Sequence, residues 1–160
     1  MVFMPKARVA AVGGTFDNLH RGHEALLRSA FEVADRVIVG ITSDEFARSQ
    51  GKEGIQVMNQ RIGQVKAFLI VNRLFERASI VVLEDPFGPL LSDPAIEVLV
   101  VSEGTLIRAE EANAIRLAKG MPALKIHVVP HVKSADGKPI SSSRIRNGEI
   151  DAKGNLLGSS

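Results

Sequence analysis

The stretch that decides the fold is Arg8-Val9-Ala10-Ala11-Val12-Gly13-Gly14-Thr15-Phe16-Asp17-Asn18-Leu19-His20-Arg21-Gly22-His23. Arg8 to Val12 reads as a buried strand that stops at Gly13-Gly14. From Gly22 to Ala34 the apolar residues Leu26, Leu27, Ala30, Phe31 and Ala34 recur at helical spacing. A strand, a glycine pair and a helix start make a β–loop–α unit whose backbone can approach a ligand closely. The loop has neither the Gly-x-Gly-x-x-Gly spacing of dinucleotide sites nor the Gly-Lys-Ser/Thr ending of a P-loop.

Working outward, the same alternation continues. Arg36 to Thr42 predicts a second strand, with Ser43-Asp44 as a helix cap after it. Met58, Ile62, Val65 and Leu69 lie on one helix face, and Ser79 to Leu83 predicts a third strand. Glu84 to Pro94 is a loop with three prolines and one glycine. Glu97 to Val101 predicts a fourth strand with Ser102 as a cap, residues 105–119 a helix stopped by Gly120, and Leu124 to Val129 a fifth strand. Ile140-Ser141-Ser142-Ser143 opens a short final helix. The expected fold is therefore α/β: one Rossmann-like domain over residues 1–154, a five-stranded parallel sheet with helices on both faces, and a flexible tail over 155–160. In such sheets ligands bind beyond the carboxyl ends of the strands, where strand order reverses. That directs attention to the loops 13–22, 43–56, 84–94, 102–105 and 130–143.

Composition narrows the chemistry. The 160 residues fit one domain, and 45% hydrophobic with 24% charged is ordinary for a globular protein. No apolar run reaches the roughly 20 residues of a bilayer span, and charge interrupts the N-terminal MVFMPKARVA too early for a secretory leader, so a cytoplasmic chain is expected. Cysteine is absent, which removes thiol nucleophiles and Cys-ligated metals and fits a reducing compartment. The net charge of +2 is unevenly spread: residues 1–75 carry ten basic against seven acidic residues, 76–111 two against eight, and 112–160 eight against three. Basic surplus at both ends suits a small polyanion. No dense basic stripe is present and all seven aromatics are Phe, which argues against a nucleic-acid partner.

Two segments carry chemistry. His20-x-Gly22-His23 places two imidazoles three residues apart at a helix start, where ring and backbone N–H groups can donate to one anion and Gly22 leaves room for it. Half of a zinc site, or a pair of ordinary surface histidines, are the other readings of this pattern alone. Ser141, Ser142 and Ser143, followed by Arg144 and Arg146, describe a second place for phosphate oxygens, although serine runs also cap helices that bind nothing.

Together, Gly14-Thr15-Phe16-Asp17-x-x-His20-x-Gly22-His23 and Ile140-Ser141-Ser142-Ser143-Arg144-Ile145-Arg146 resemble the nucleotidylyltransferase superfamily. Over about residues 8–154 the chain looks most like the archaeal and eukaryotic type of phosphopantetheine adenylyltransferase. Gly40-Ile41-Thr42-Ser43-Asp44, Glu84-Asp85-Pro86-Phe87-Gly88-Pro89, Val100-Val101-Ser102-Glu103-Gly104-Thr105 and Gly148-Glu149-Ile150-Asp151 carry that closer likeness.

The resemblance implies AMP transfer from ATP to 4′-phosphopantetheine, giving dephospho-coenzyme A and pyrophosphate, with Mg²⁺ carried in on ATP and no protein cage for a metal. It implies that His20, His23 and Lys52 serve the reacting phosphates. Gly14, Thr15, Phe16, Ser102, Glu103, Gly104, Ser141, Ser142, Ser143 and Arg144 line the nucleotide, with Thr15 and Lys52 also near the acceptor. The bacterial form carries an arginine-containing stretch after the fourth strand, where Ser102-Glu103 stands here. Asn113 and Arg116, three residues apart on one helix, are the candidates to replace it at the acceptor, and a solvated Arg116 is the other reading. Gln56-Val57-Met58-Asn59 lacks the proline that relatives carry before Arg61, which leaves the acceptor role of Arg61 open. Two further readings remain: the same frame acting on nicotinamide mononucleotide, flavin mononucleotide or a phospho-alcohol, and a nucleotide sensor without catalysis.

Overall fold

Strand β1 (Ala7–Gly14) is the axis of the molecule, and its side chains alternate between two cores with the period of two that a strand imposes. Ala10 and Val12 enter one core, Ala11 and Val9 the other. The computed structural model describes residues 6–158. The other strands are β2 (Ala34–Thr42), β3 (Ala78–Leu83), β4 (Val98–Ser102) and β5 (Lys125–Val129), in the order β3-β2-β1-β4-β5, and every pairing is parallel. Winding therefore reverses between β1 and β4, the expected place for a ligand.

Helices α1 (Arg21–Val33) and α3 (Met58–Val71) cover one face, burying Leu27, Ala30, Phe31, Val65, Phe68 and Leu69 against Val37, Val39 and Val100. Helix α4 (Leu106–Ala118) covers the other through Ala109 and Ala112, with Leu90, Ile96 and Leu124. Each fully buried aliphatic or aromatic side chain contributes about 1.5–3 kcal/mol. Two short helices, α2 (Asp44–Ser49) and α5 (Ser142–Arg146), lie at the carboxyl end of the sheet. Both are capped as their sequences predict: Ser43 Oγ accepts from Phe46 N at 3.0 Å, and Ser141 Oγ from Arg144 N at 3.3 Å.

Boundaries differ from the periodicity at instructive points. The glycine pair does not stop β1: Gly13 and Gly14 stay extended and pair with Gly40 and Ile41 of β2. Ala34 leaves the helix for an extended conformation (φ −145°) and begins β2 with no intervening loop. Ser102 makes no side-chain cap, because a 3₁₀ turn over Glu103–Thr105 separates it from α4. Gly120 takes φ 78° and ends that helix region as expected. Within the tail expected to be flexible over 155–160, the Leu157 N–H donates to Glu149 O at 3.0 Å and Leu156 bridges Ile150. Ser159 and Ser160, and Met1 to Pro5 of the N-terminal stretch, lie outside the described residues.

Candidate active site

The loop after β1 is held in an unusual backbone conformation. Phe16 and Asn18 both take the left-handed region (φ 55° and 48°), which costs a non-glycine residue of order 1 kcal/mol. Phe16 is held there by complete burial of its ring, which leans on the His23 ring at 5.3 Å. Asp17, only 2% exposed, is the hub of the loop. Its Oδ1 accepts from Gln56 N (2.7 Å), its Oδ2 from Asn18 Nδ2 (3.0 Å) and from the Arg146 guanidinium, and its carbonyl from Ser142 Oγ (2.6 Å). Through its carboxylate and its carbonyl this one buried residue joins the first loop to the segment before α3 and to Ser142 and Arg146 of α5, 125 and 129 residues away in sequence.

The two histidines form a reciprocal cap on α1. His20 Nδ1 accepts from Gly22 N (3.1 Å) and His23 N (3.3 Å), and His23 Nδ1 accepts from His20 N (3.2 Å). The rings stack at 3.6 Å. A Cβ on residue 22 would meet the His20 ring at 2.9 Å, so Gly22 is needed for the cap itself, beyond any room it leaves for a phosphate. The N–H groups expected to be free at this helix end are satisfied: Arg21 N donates to Ala152 O, and those of Gly22 and His23 to His20. What remains for an anion is the Nε2–H of each ring, because an Nδ1 that accepts carries no proton. Burial pushes His20 down to about 4, against the opposing pull of Asp17. Burial, then the neighbouring His20 and Lys52 charges, push His23 down to about 3. Both rings are neutral donors at neutral pH.

Lys52 and Thr15 meet at the next point of the site, with Lys52 Nζ donating to Thr15 Oγ1 at 2.7 Å. Protein atoms crowding the ammonium group, followed by the charges of Arg146, Arg61 and Arg108, hold Lys52 below the usual lysine range. Arg61 lies underneath as a strut. It is fully buried and donates to Gln56 O (2.8 Å), Thr15 O (2.8 Å), Thr42 O (2.7 Å) and Asp44 Oδ1 (2.6 Å). That bond is the main reason Asp44 sits below the usual carboxylate range. With each of its three nitrogens donating to protein and the side chain fully buried, Arg61 positions Thr15 and does not face an acceptor.

The serine segment divides its labour. Ser141 caps α5, Ser142 ties it to Asp17, and Ser143 Oγ accepts from Arg146 at 3.3 Å. Arg144 does not point at the first loop. Its guanidinium is taken by Asp136, Ser134 Oγ (2.8 Å) and Pro139 O (3.1 Å), so it braces the 133–139 loop. The arginine that reaches the site is Arg146, two residues on. Spacing on a five-residue helix gave no means of choosing between them.

Beside these groups opens a cleft of about 480 Å³ above the point where β1 and β4 part. Gly14, Thr15, His23 and Lys52 line its polar end, and Ser102 and Gly104 line it after β4. Glu103 accepts from His131 N at 3.4 Å. Ile38, Leu83, Phe87, Leu90, Leu99 and Val101 give the cleft an apolar wall. Asn113 and Arg116 are not in it, which corrects the expectation placing them at the acceptor. The Asn113 amide pairs with the Leu124 backbone at 2.6 and 2.9 Å. Arg116, 1% exposed, donates to Pro122 O, Leu90 O, Asp93 O and Ile96 O and clamps the 90–96 loop to α4. It is neither an acceptor contact nor solvated. Its carbonyl partners come from loops whose approach to α4 only the folded chain reveals.

Comparison with known proteins bears on the whole chain. The model of the cytidylyltransferase-like family matches residues 11–148. A protein from Methanopyrus kandleri named phosphopantetheine adenylyltransferase is 43% identical over 94% of this chain and 96% of its own length. The chain belongs to the phosphopantetheine adenylyltransferases, within the cytidylyltransferase-like family. A relative of the same name from Methanothermobacter thermautotrophicus is also 43% identical, over 95% of this chain and 91% of its own. Among solved structures, a protein of unknown function from Archaeoglobus fulgidus has the same fold at a TM-score of 0.68 and 32% identity, over 76% of this chain and 88% of its own.

Proposed function

We propose that the chain transfers AMP from ATP to 4′-phosphopantetheine, releasing pyrophosphate and forming dephospho-coenzyme A. A phosphate oxygen of the acceptor attacks the α-phosphorus of ATP, and the bond from that phosphorus to the oxygen bridging to the β-phosphate breaks. No protein nucleophile is needed, so the protein's task is to align two polyanions and stabilise charge at the transferring group. The observation that carries this reading is convergence: His23, Thr15 and Lys52 line one cleft, His20 stacks on His23, and Asp17 ties the Ser142/Ser143/Arg146 group of α5 to the same loop.

The roles follow from position. His23, lining the cleft, offers its Nε2–H to the α-phosphate and bridging oxygens, and His20 supports it from behind. Lys52 brings positive charge to the reacting phosphates. Ser143 and Arg146 hold the β- and γ-phosphates, with Ser141 and Ser142 fixing α5. Ser102 to Gly104 line the adenine side. The apolar wall at Ile38, Leu83, Phe87 and Leu90 suits the hydrocarbon and amide arm of pantetheine. Magnesium would be carried by ATP itself: the groups facing the cleft are hydrogen-bond donors and cations, which fit phosphate oxygens, and Asp17 is already committed to Arg146. When bound, the ion neutralises phosphate charge. No helix among the described residues is long and apolar enough to cross a membrane; the cytoplasm is the setting proposed for this chemistry.

Pyrophosphate release across acceptors, with ATP and with CTP, tests the reading. Turnover is expected with ATP and 4′-phosphopantetheine. Strong turnover on nicotinamide mononucleotide with none on 4′-phosphopantetheine would overturn it in favour of another acceptor on the same frame.

A further inference from the structure

Gly148-Glu149-Ile150-Asp151 follows α5 and lines no part of the cleft, yet it opens a turn that touches both ends of the phosphate grip. Asp151 builds that turn. Its Oδ1 accepts from Lys153 N and Asn155 N, both at 2.9 Å, and its Oδ2 from Asn155 Nδ2 at 3.0 Å. An aspartate that accepts backbone N–H groups just ahead of it holds the chain in a tight bend. The backbone closes around the same residue: Gly154 N donates to Asp151 O and Asp151 N to Asn155 O, each at 3.0 Å. Bonds from the Asn155 backbone and side chain hold the Asp151 carboxyl below the usual carboxylate range.

Two carbonyls of this turn reach different parts of the site. Ala152 O accepts from Arg21 N at 3.1 Å, the first N–H of α1, and so completes the cap that the His20 ring makes for Gly22 and His23. Gly154 O accepts from Ala135 N at 2.9 Å, in the 133–139 loop that leads through buried Ile140 to the serines of α5. Gly154 fits only as glycine. Its φ is 84°, and a Cβ would meet Ile140 Cδ1 at 2.8 Å and Ser134 Cα at 3.1 Å. The turn is thus wedged between the histidine end and the serine end of the grip. Asp17 ties those ends through the first loop, and the turn ties them a second time through different atoms.

We propose that Asp151 is a positioning residue for ATP: by folding the 151–155 turn it sets the spacing between the start of α1 and the start of α5, and so the fit of one triphosphate across both. Asp151 itself touches no substrate. The proposal rests on the triphosphate lying across both helix starts, as the proposed adenylyl transfer requires.

The test compares Asp151→Ala, Asp151→Asn and Asn155→Ala with the parent in steady-state kinetics and in direct titration with ATP, at a temperature where each is folded. Asp151→Ala removes three acceptor bonds, and the KM and dissociation constant for ATP are expected to rise about 10-fold. The KM for 4′-phosphopantetheine stays within about twofold. Asp151→Asn keeps an oxygen for the Lys153 and Asn155 N–H groups and restores ATP binding to within about threefold of the parent. Asn155→Ala trims an exposed amide that donates to Asp151, and weakens ATP binding by about two- to threefold. Lower thermal stability with unchanged ATP binding overturns the proposal and leaves Asp151 a turn residue only. So does an equal rise in both KM values, or an Asp151→Asn variant no better than Asp151→Ala. Should Asp151→Ala not fold, Asn155→Ala decides, and a parental ATP dissociation constant overturns the proposal. A parent that binds ATP but yields no dephospho-coenzyme A sinks the proposed acceptor and leaves Asp151 to be judged on ATP binding.

Discussion

His20 and His23 cap one another: the Nδ1 of each ring accepts the backbone N–H of the other residue, at 3.3 and 3.2 Å. This local geometry decides the tautomer. With Nδ1 committed as an acceptor, the proton of each neutral ring must sit on Nε2, so each ring has one donor left for a phosphate. Nitrogen-15 spectra of the free protein are therefore expected to show both residues as neutral Nε2–H tautomers with no titration between pH 5.5 and 8. A midpoint near 6.5 for either ring would contradict the cap.

The same pair makes stability depend on acid. Both folded-state values, about 4 for His20 and about 3 for His23, lie below the ordinary 6.5, so the unfolded chain takes up protons first as pH falls. The contribution is complete above about pH 6.5 and is lost progressively down to about pH 3. His20→Asn keeps an oxygen acceptor at the cap but removes one titrating group. Urea titrations should show a shallower loss of stability between pH 6.5 and 4 in that variant. An unchanged slope would place the acid sensitivity elsewhere.

Lys52→Gln leaves Thr15 without its ammonium partner and the reacting phosphates without a charge. By analogy with loss of a single transition-state donor, kcat should fall by about 10²–10³, with a smaller change in ATP affinity. Lys52→Arg should recover part of the rate. Single-turnover measurements that leave the chemical step unchanged would show that Lys52 is a surface lysine whose contact to Thr15 is incidental.

Arg116→Met should behave as a stability variant. Four carbonyls from residues 90, 93, 96 and 122 lose their donor in a nearly water-free setting, which should cost about 2–4 kcal/mol in urea denaturation. The KM for 4′-phosphopantetheine should stay within about twofold of the parent, as expected for the loss of packing remote from the bound group. A large rise in that KM without loss of stability would return Arg116 to the acceptor.

What could be read from the chain before folding, and what could not, divides along physical lines. The strand–loop–helix from Arg8 to His23 was legible because its evidence is local: buried β-branched residues, two glycines and helical spacing. The same holds for the caps Ser43 and Ser141, whose bonds span three residues. Arg116, Asn113 and Arg144 were misplaced for a shared reason. Neither helical spacing nor a motif tells what packs against a side chain, and their partners lie in loops that only folding brings up: residues 134–139 for Arg144, Leu124 for Asn113, and residues 90–96 and 122 for Arg116. Asp17 was visible inside a motif, yet its role as a hub depends on Gln56, Ser142 and Arg146 arriving from distant segments. The occupied N–H groups at the start of α1 were illegible for a subtler reason. Histidine is an uncommon cap, and only the close fit of its ring over Gly22 reveals that it serves as one.

The central claim is that neutral imidazole donors and the serine–arginine group of α5 grip one triphosphate and stabilise its transition state. It is tested most directly by measuring kcat and the ATP dissociation constant side by side for His23→Ala. Because the Nε2–H contact strengthens as charge develops at the α-phosphorus, kcat should drop by about 10²–10³ while ATP binding weakens by less than about tenfold. Equal losses in turnover and in ATP affinity would contradict the account.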